Sequence, residues 1–247
     1  MTETRNRQAS DANGGALRST IVLAIALVFP TLGVLLYFVA SSGGAAMQLA
    51  YGSTKVLQFA FPVAFVFWTR TKLRRPLADT APAGAGIPSG LVFGGAVAAA
   101  MIGLYFSPWL PPSWFEEATP RLKDKLTSAG IETRVAFLAL ATFYCLAHSF
   151  LEEYYWRWFV YGIARKKMSG PAAIALSSVG FASHHVVLLA MYFDDLRAVV
   201  GFSAGVAAGG VAWAWIYEKS GRLRGPWLSH LLVDAAIMAI GYHLLFA

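Results

Sequence analysis

The stretch from Val135 to Tyr161 reads VAFLALATFYCLAHSFLEEYYWRWFVY. A helix needs about 20 mostly apolar residues to cross the hydrocarbon core of a bilayer, so this stretch predicts a transmembrane helix. It also contains Glu152, Glu153 and Arg157. A charged side chain at the centre of a span costs about 2.5–3.5 kcal/mol on insertion scales, so such residues are usually retained for a function.

Six further apolar runs are long enough to span a bilayer. They are Thr20–Ala40, Ala45–Thr69, Pro88–Leu110, Pro171–Phe193, Ala198–Tyr217 and Pro226–Phe246. Small residues after the first run leave cleavage of a signal peptide as a minor alternative. The pattern predicts an all-α, polytopic transmembrane helix bundle of seven spans, or eight if the run over Val135–Tyr161 contains a break.

The composition supports a membrane protein and excludes several other classes. Of the 247 residues, 57% are hydrophobic and 13% are charged, against about 25% charged residues in soluble domains. Cys145 is the single cysteine, which excludes a disulfide scaffold. The expected partner is therefore the lipid bilayer. The net charge of +7 is typical of Lys and Arg crowded into cytoplasmic loops, and no nucleic acid is expected.

The loop charges predict the orientation. With the amino terminus inside, 13 Lys and Arg residues face the cytoplasm and 5 face the other side, as the positive-inside rule requires. The short, alanine-rich chain favours a bacterial source. We therefore expect an integral multi-pass protein of the bacterial (inner) cell membrane with a cytoplasmic amino terminus.

The expected organisation has three parts. Residues 1–19 form a cytoplasmic tail, residues 20–134 form amino-terminal transmembrane helices and loops, and residues 135–247 form the functional core. A Pro/Gly/Ala-rich linker covers Ala78–Gly90, and the loop Pro111–Thr133 shows the spacing of a short helix lying on the membrane surface. Gly201, Gly205 and Gly209 recur every four residues, which predicts close helix packing.

Ionisable residues also lie in two other predicted spans. His185 lies in the fifth span, and His230 and Asp234 lie in the seventh. Spacings of four residues place Glu153 beside Arg157, and His230 beside Asp234, on one face of a helix.

Glu152 lies about 100° around its helix from Glu153 and so can face a cavity while Glu153 pairs with arginine. At about 1.5 Å per residue from the cytoplasmic ends, the depths of Glu152, His185 and His230 differ by up to about 15 Å. Tilted helices would bring the three side chains together within the membrane. A buried carboxylate and a neutral imidazole can activate water, and a second imidazole can stabilise an oxyanion. The same groups are also ordinary zinc ligands.

Three motifs carry a family resemblance: EEYYWR at Glu152–Arg157, FASHH at Phe181–His185 and HLLVD at His230–Asp234. In order and on separate spans, they read EExxxR, FxxxH and HxxxD. This set resembles the CPBP family of intramembrane proteases, which includes the CAAX prenyl endopeptidases and bacteriocin-processing relatives. The resemblance extends from about Val135 to the carboxyl terminus.

The resemblance implies an intramembrane endopeptidase that hydrolyses a membrane-associated protein or peptide. Glu152 matches the activator of the catalytic water, and Glu153 and Arg157 match its supporting pair. His185 matches the histidine that helps hold the water. The remaining motif, His230 with Asp234, matches the pair that assists at the oxyanion.

The favoured family mechanism uses no metal, and the chain has no HExxH motif. We therefore expect no cofactor, although zinc binding by Glu152, His185 and His230 stays open. The depth difference of up to about 15 Å argues against that ligand set.

The sequence also departs from the family pattern. Trp158 follows Arg157 where glycine is common, and Asp234 replaces the more usual asparagine. His148 and His184 are not part of the pattern, and a structural role is favoured for both. These departures leave the substrate open among prenylated proteins, bacterial peptides and proteins with a carboxyl-terminal sorting helix.

Two other functions fit the same fold. One is a non-catalytic membrane immunity or scaffold protein, which would not need all three motifs intact. The other is a proton-coupled transporter, since buried Glu, His and Asp can form a proton relay. Transporters often contain internal repeats, and the sequence shows none.

The charge bias generates a test of topology. A thiol reagent that does not cross membranes should label the Arg74→Cys and Lys166→Cys variants only from the cytoplasmic side. It should label Lys123→Cys only from outside. The reverse labelling would overturn the orientation.

Overall fold

A computed structural model shows the chain as a bundle of helices, with no strand among the residues that it describes, 2–39, 45–71, 73 and 81–247. Their bounds are α1 Thr2–Val39, α2 Ala45–Thr69, α3 Ile87–Tyr105, α4 Pro112–Ser128, α5 Arg134–Ala164, α6 Gly170–Tyr192, α7 Leu196–Ser220 and α8 Arg224–Phe246. The predicted all-α class is confirmed. Helix α1 begins at Thr2, so the backbone of the expected tail is helical.

Six helices in the described residues are long and apolar enough to cross a bilayer: Leu17–Tyr37 within α1, and α3, α5, α6, α7 and α8. They coincide with six of the predicted spans and confirm a polytopic membrane protein. The predicted span Ala45–Thr69 forms α2 with those bounds. It is not among the six helices found in the described residues. Helix α5 continues for 31 residues, so a break that would create an eighth span does not occur.

Some predicted features fall outside the described residues. These are the end of the first span at Ala40, the first residues of the Ala78–Gly90 linker, and the cations Lys72, Arg74 and Arg75. The helix predicted within the loop Pro111–Thr133 is present as α4.

Contacts between loops define two ends of the bundle. At one end, Arg121 of α4 donates a hydrogen bond of 2.5 Å to Asp194 in the connection between α6 and α7. At the other end, Lys167 donates a hydrogen bond of 2.9 Å to Thr20. The positive-inside rule likewise places Arg121 on one side of the membrane and Lys167 on the other.

Asp195 fixes the start of α7 and its contact with α4. Its carboxylate accepts hydrogen bonds from the backbone and side chain of Arg197 and from the indole of Trp114. The hydrogen bonds from Arg197 and Trp114 hold the pKa of Asp195 below its usual range.

Helix α5 is the centre of the buried core. Tyr155, Trp156 and Phe159 are almost fully buried. Aromatic residues of α2 pack edge-on against this helix, with Phe61 and Phe65 both meeting Phe159 at centroid distances of 5.8 and 5.9 Å. Such edge-to-face pairs add to the energy of apolar burial.

Helices α3 and α8 approach so closely that glycine is required between them. A Cβ atom on Gly90 would lie 2.1 Å from the carbonyl oxygen of Gly225, and one on Gly94 would lie 2.7 Å from the Cα of Ser229. Small residues at four-residue spacing let helix backbones touch in membranes. This contact fixes the start of α8, which carries His230.

The predicted packing role of Gly201, Gly205 and Gly209 is wrong. A Cβ on Gly201 or Gly205 would meet nothing within 4 Å, and the three atoms nearest to one on Gly209 belong to the ring of Trp213 on the same helix. The close contact on α7 is made instead by Gly210, whose Cβ would lie 3.2 Å from the Cβ of Ser178. Four-residue spacing identifies a helix stripe but does not show which stripe faces a neighbour.

The glycine contact predicts a difference between two substitutions on one helix. Gly90→Ala should lower the free energy of unfolding by about 1–3 kcal/mol, because the added methyl overlaps the α8 backbone. Gly95→Ala is the matched control, because a Cβ there meets nothing within 4 Å. It should raise stability by about 0.5–1 kcal/mol. Thermal unfolding in detergent, followed by circular dichroism, measures both. Equal effects of the two substitutions would contradict the packing described.

Candidate active site

Helix α5 carries two adjacent buried carboxylates, those of Glu152 and Glu153, between two π-helical stretches. Its backbone is π-helical over Tyr144–His148 and Tyr154–Tyr161, with a short α-helical stretch at Ser149–Glu153. Glu152 is 2% exposed and Glu153 is fully buried. Single π turns are frequent at functional sites, because they change the direction of side chains within an otherwise regular helix.

Three histidines surround the carboxylate of Glu152. Its Oε1 atom lies 3.8 Å from His148 Nε2 and 3.7 Å from His184 Nε2, and its Oε2 atom lies 3.9 Å from His230 Nε2. These distances exceed those of direct hydrogen bonds. Helices α5, α6 and α8 therefore each direct an imidazole toward one carboxylate.

Glu153 has a different set of partners. Its Oε2 atom lies 3.0 Å from Arg157 Nε, as their spacing predicts, and its Oε1 atom lies 2.9 Å from His230 Nδ1. Because a carboxylate accepts hydrogen bonds, this contact places a proton on Nδ1 of His230. Glu153 thus orients the imidazole whose other nitrogen faces Glu152.

Arg157 is held by aromatic rings as well as by Glu153. Its guanidinium carbon lies 4.9 Å from the ring centroid of Phe181 and 5.4 Å from that of Trp213. Its two terminal nitrogens are buried with no hydrogen-bond partner among the described residues. Contact with aromatic faces stabilises a cation in these surroundings.

Trp213 also supports His230. Its indole ring stacks on the imidazole with a centroid distance of 4.2 Å and an angle of 16°. The indole N–H donates a hydrogen bond of 2.9 Å to Ser229. Trp213 therefore locks the position of the third motif against α7.

His185 has a defined tautomer. Its Nδ1 atom lies 2.9 Å from the carbonyl oxygen of Phe181, one turn earlier on α6. A carbonyl can only accept, so Nδ1 carries the proton and the neutral ring has its lone pair on Nε2. This lone pair can accept a hydrogen bond from water or bind a metal ion.

Asp234 completes the cluster at one side. Its Oδ1 atom lies 3.6 Å from Nε2 of His230, one helical turn away. The side chain of Asp234 is 14% exposed, compared with 5% for His230. His230 is therefore the more deeply buried member of this pair.

The structure brings together all six residues singled out by the sequence analysis: Glu152, Glu153, Arg157, His185, His230 and Asp234. The estimated depths do not describe this arrangement, because His230 lies within 3.9 Å of Glu152. The estimate assumed upright helices with level ends. A rise per residue measures distance along each helix axis, and tilted helices of unequal height can meet anywhere along their lengths.

Three residues near the cluster were not identified as functional. The sequence predicts structural roles for His148 and His184 and gives no indication of a role for Trp213. His148 carried a usable signal, since it lies one turn before Glu152, and His184 is adjacent to His185. Trp213 had no such signal, because it stands alone in an apolar helix.

One carboxylate and two imidazoles here also form a set of possible metal ligands. Glu152, His184 and His185 each offer one ligand atom, and these atoms lie within 4.8 Å of one another. A carboxylate with two histidines is a known ligand set for catalytic zinc, so the residues fit this ion. The third ligand in this set is His184 and not His230, so the difference in helix depth between Glu152 and His230 does not bear on it.

The carboxyl-terminal part of the chain matches a known family. Residues 134–236 match the family model described as type II CAAX prenyl endopeptidase, Rce1-like. This segment is Rce1-like. The resemblance to the CPBP family is confirmed by this match. No curated protein and no solved structure matches the chain.

The Rce1-like segment contains every motif residue and excludes helices α1–α4. Over this segment the chain is similar to type II CAAX prenyl endopeptidases. The six apolar helices support an integral multi-pass membrane protein in a lipid bilayer, and the matched segment is similar to a family of membrane-embedded proteases.

Proposed function

We propose that the chain is a glutamate-dependent intramembrane endopeptidase that cleaves membrane-associated CAAX-type peptides. The observation that carries this proposal is the separation of roles between the two carboxylates. Glu153 is bound by Arg157 and His230, whereas Glu152 is surrounded by imidazoles at 3.7–3.9 Å. A buried carboxylate whose neighbour Glu153 takes the contact with Arg157 is suited to accept a proton.

In this mechanism, Glu152 is the general base. The Nε2 lone pair of His185 orients a water molecule beside it. The water oxygen bonds to the peptide carbonyl carbon while one of its protons passes to Glu152. That proton then moves to the amine nitrogen as the carbon–nitrogen bond breaks, so Glu152 returns to its starting state.

His230 and Asp234 act on the developing oxyanion. With Nδ1 donating to Glu153, a protonated His230 presents an Nε2–H donor toward the region of Glu152 and Asp234. A donor fixed before the reaction stabilises negative charge with little reorganisation, and loss of one such donor costs about 100- to 1,000-fold in rate. Asp234 lies 3.6 Å from the same Nε2 atom and helps to orient it.

Two further assignments belong to this proposal. The amino terminus lies in the cytoplasm, on the basis of the 13-to-5 charge bias. The reaction uses no metal, because the Glu152–His185 pair is sufficient to hold a water molecule. If zinc were bound, Glu152, His184 and His185 would hold it, and the ion would act as a Lewis acid.

Substitution of the proposed base tests catalysis. Glu152→Gln and Glu152→Ala should each lower turnover of a prenylated C-a-a-X peptide at least about 100-fold, because the general base is lost. His185→Ala should have a comparable effect. Cleavage by purified protein in lipid nanodiscs is measured with a peptide carrying a fluorophore and a quencher.

Matched controls are available on the same chain. Glu132→Gln changes an exposed carboxylate, and His243→Ala changes the fifth histidine, which bonds to Tyr105 away from the site. Both should retain turnover. Near-normal turnover of folded Glu152→Gln would exclude Glu152 as the base and would favour a non-catalytic or transport function.

Chelation tests the metal-free assignment. Activity should survive incubation with a strong chelator, and metal analysis of the purified protein should find no stoichiometric zinc. Loss of activity on chelation, one zinc per chain before it and recovery on adding zinc would overturn the assignment. His184→Ala would then also lose bound zinc, because it removes one of the three ligands.

A further inference from the structure

Two side chains bind the backbone of α5 at its first π-helical segment, Tyr144–His148. The backbone amide of Ser149 donates to the carbonyl of Tyr144, five residues earlier, as a π turn requires. The carbonyl of Cys145, which an α-helix would pair with this amide, accepts a hydrogen bond from the hydroxyl of Ser149. The shifted hydrogen-bond ladder is therefore supported by a side chain of α5 itself.

Trp227 of α8 makes the second of these contacts. Its indole N–H donates a hydrogen bond of 3.1 Å to the carbonyl of Leu146, within the π segment. Its ring meets Phe150 edge-on, with a centroid distance of 5.7 Å and an angle of 81°. Trp227 lies one helical turn before His230, which binds Glu153. Adjacent turns of α8 thus hold α5 at the π segment and at the carboxylates.

His148 is the last residue of the π segment, and it faces the proposed base. Its Nε2 atom lies 3.8 Å from Oε1 of Glu152, and its ring packs on Tyr144 with a centroid distance of 4.7 Å. The last torsion of a glutamate side chain is broad, so the neighbours of the carboxylate decide which oxygen faces a water molecule. His148 and His184 approach one oxygen, and His230 approaches the other.

We propose that His148 is a positioning residue for Glu152, and that Trp227 holds the π segment in the shape that brings His148 to this place. This inference rests on the proposed function, in which Glu152 accepts the proton. Neither residue belongs to the EExxxR, FxxxH or HxxxD motif. Both act through Glu152, and neither has to touch the substrate.

The exposure of the three imidazoles explains why His148 depends on its backbone. The side chain of His148 is 14% exposed, compared with 6% for His184 and 5% for His230. An imidazole at the edge of the cluster is fixed by fewer packing contacts, so the backbone that carries it has a larger influence on its position. Trp227 binds that backbone two residues before His148.

The kinetics of two single variants test the assignment. Trp227→Phe keeps an aromatic ring against Phe150 and removes the N–H donor, and His148→Ala removes the imidazole. Each should lower kcat about tenfold, because a base held in fewer productive orientations loses effective concentration at the water. KM should change less than about twofold, since peptide binding is not involved. Cleavage is measured with the quenched peptide in nanodiscs, and unchanged kcat in either folded variant would refute the inference.

A double-mutant cycle tests whether Trp227 acts through His148. Residues that act through one another are not additive, so Trp227→Phe/His148→Ala should match His148→Ala within about twofold. Independent effects would multiply to a loss of about 100-fold and would refute the link. Trp215→Phe is the matched control, because Trp215 on α7 is 50% exposed. It should retain the kcat of the wild-type protein.

Substitute variants keep the cycle decisive if one of these proteins does not fold. Ser149→Ala replaces Trp227→Phe, because it removes the other side-chain contact to the π segment. His148→Phe replaces His148→Ala, because it keeps a ring against Tyr144 and offers the carboxylate no nitrogen. The same losses of kcat are expected, and a normal kcat in folded His148→Phe would reduce His148 to a packing role.

A spectroscopic measurement separates this inference from the proposed function. In protein with isotopically labelled histidine, the imidazole nitrogen NMR signals of His148 are assigned by their loss in His148→Ala. They should shift in Glu152→Gln and in Trp227→Phe, and stay unchanged in Trp215→Phe. These shifts without any cleavage by wild-type protein would retain the positioning contacts and overturn the hydrolytic function. Cleavage that depends on Glu152 but not on His148 or Trp227 would retain the function and overturn this inference.

Discussion

The buried ion pair between Glu153 and Arg157 is the interaction on which the rest of the site depends. An arginine within a low-dielectric membrane protein needs a counter-ion, and α5 provides one a single turn away. Glu153 serves this purpose and also orients His230. Glu152 is therefore not needed as the counter-ion of Arg157. Loss of Arg157 would leave two adjacent carboxylates in competition for the same protons.

Aromatic side chains give this polar cluster a rigid boundary. Phe181 contacts Arg157, His185 and His230, so the first residue of the FxxxH motif touches members of all three motifs. Trp156 stacks on His184 with nearly parallel rings, and Trp213 does the same for His230. These large rings restrict the imidazoles to a few orientations, which an aliphatic core of equal volume would not do.

The sequence predicted much of this protein because membrane insertion makes charge placement informative. Apolar length was sufficient to locate the spans, and Glu152 to Arg157 stood out because charges there are costly. The relative heights of helices could not be predicted, since tilt depends on contacts such as Gly90 against Gly225. For the same reason the sequence could not predict that His148 and His184 lie beside Glu152. Their meaning depends on which face of each helix turns toward Glu152.

The contact between α3 and α8 extends the functional unit beyond the recognisable signature. Gly94 of α3 touches Ser229, the neighbour of His230, yet α3 lies outside the family match and contributes no motif residue. The third motif is therefore positioned by a helix that contributes no catalytic motif residue. Among relatives, the pairs Gly90 with Gly225 and Gly94 with Ser229 would be free to change only in concert. The sequence of α3 is thus constrained by the shape of α8, although α3 lies outside the matched segment.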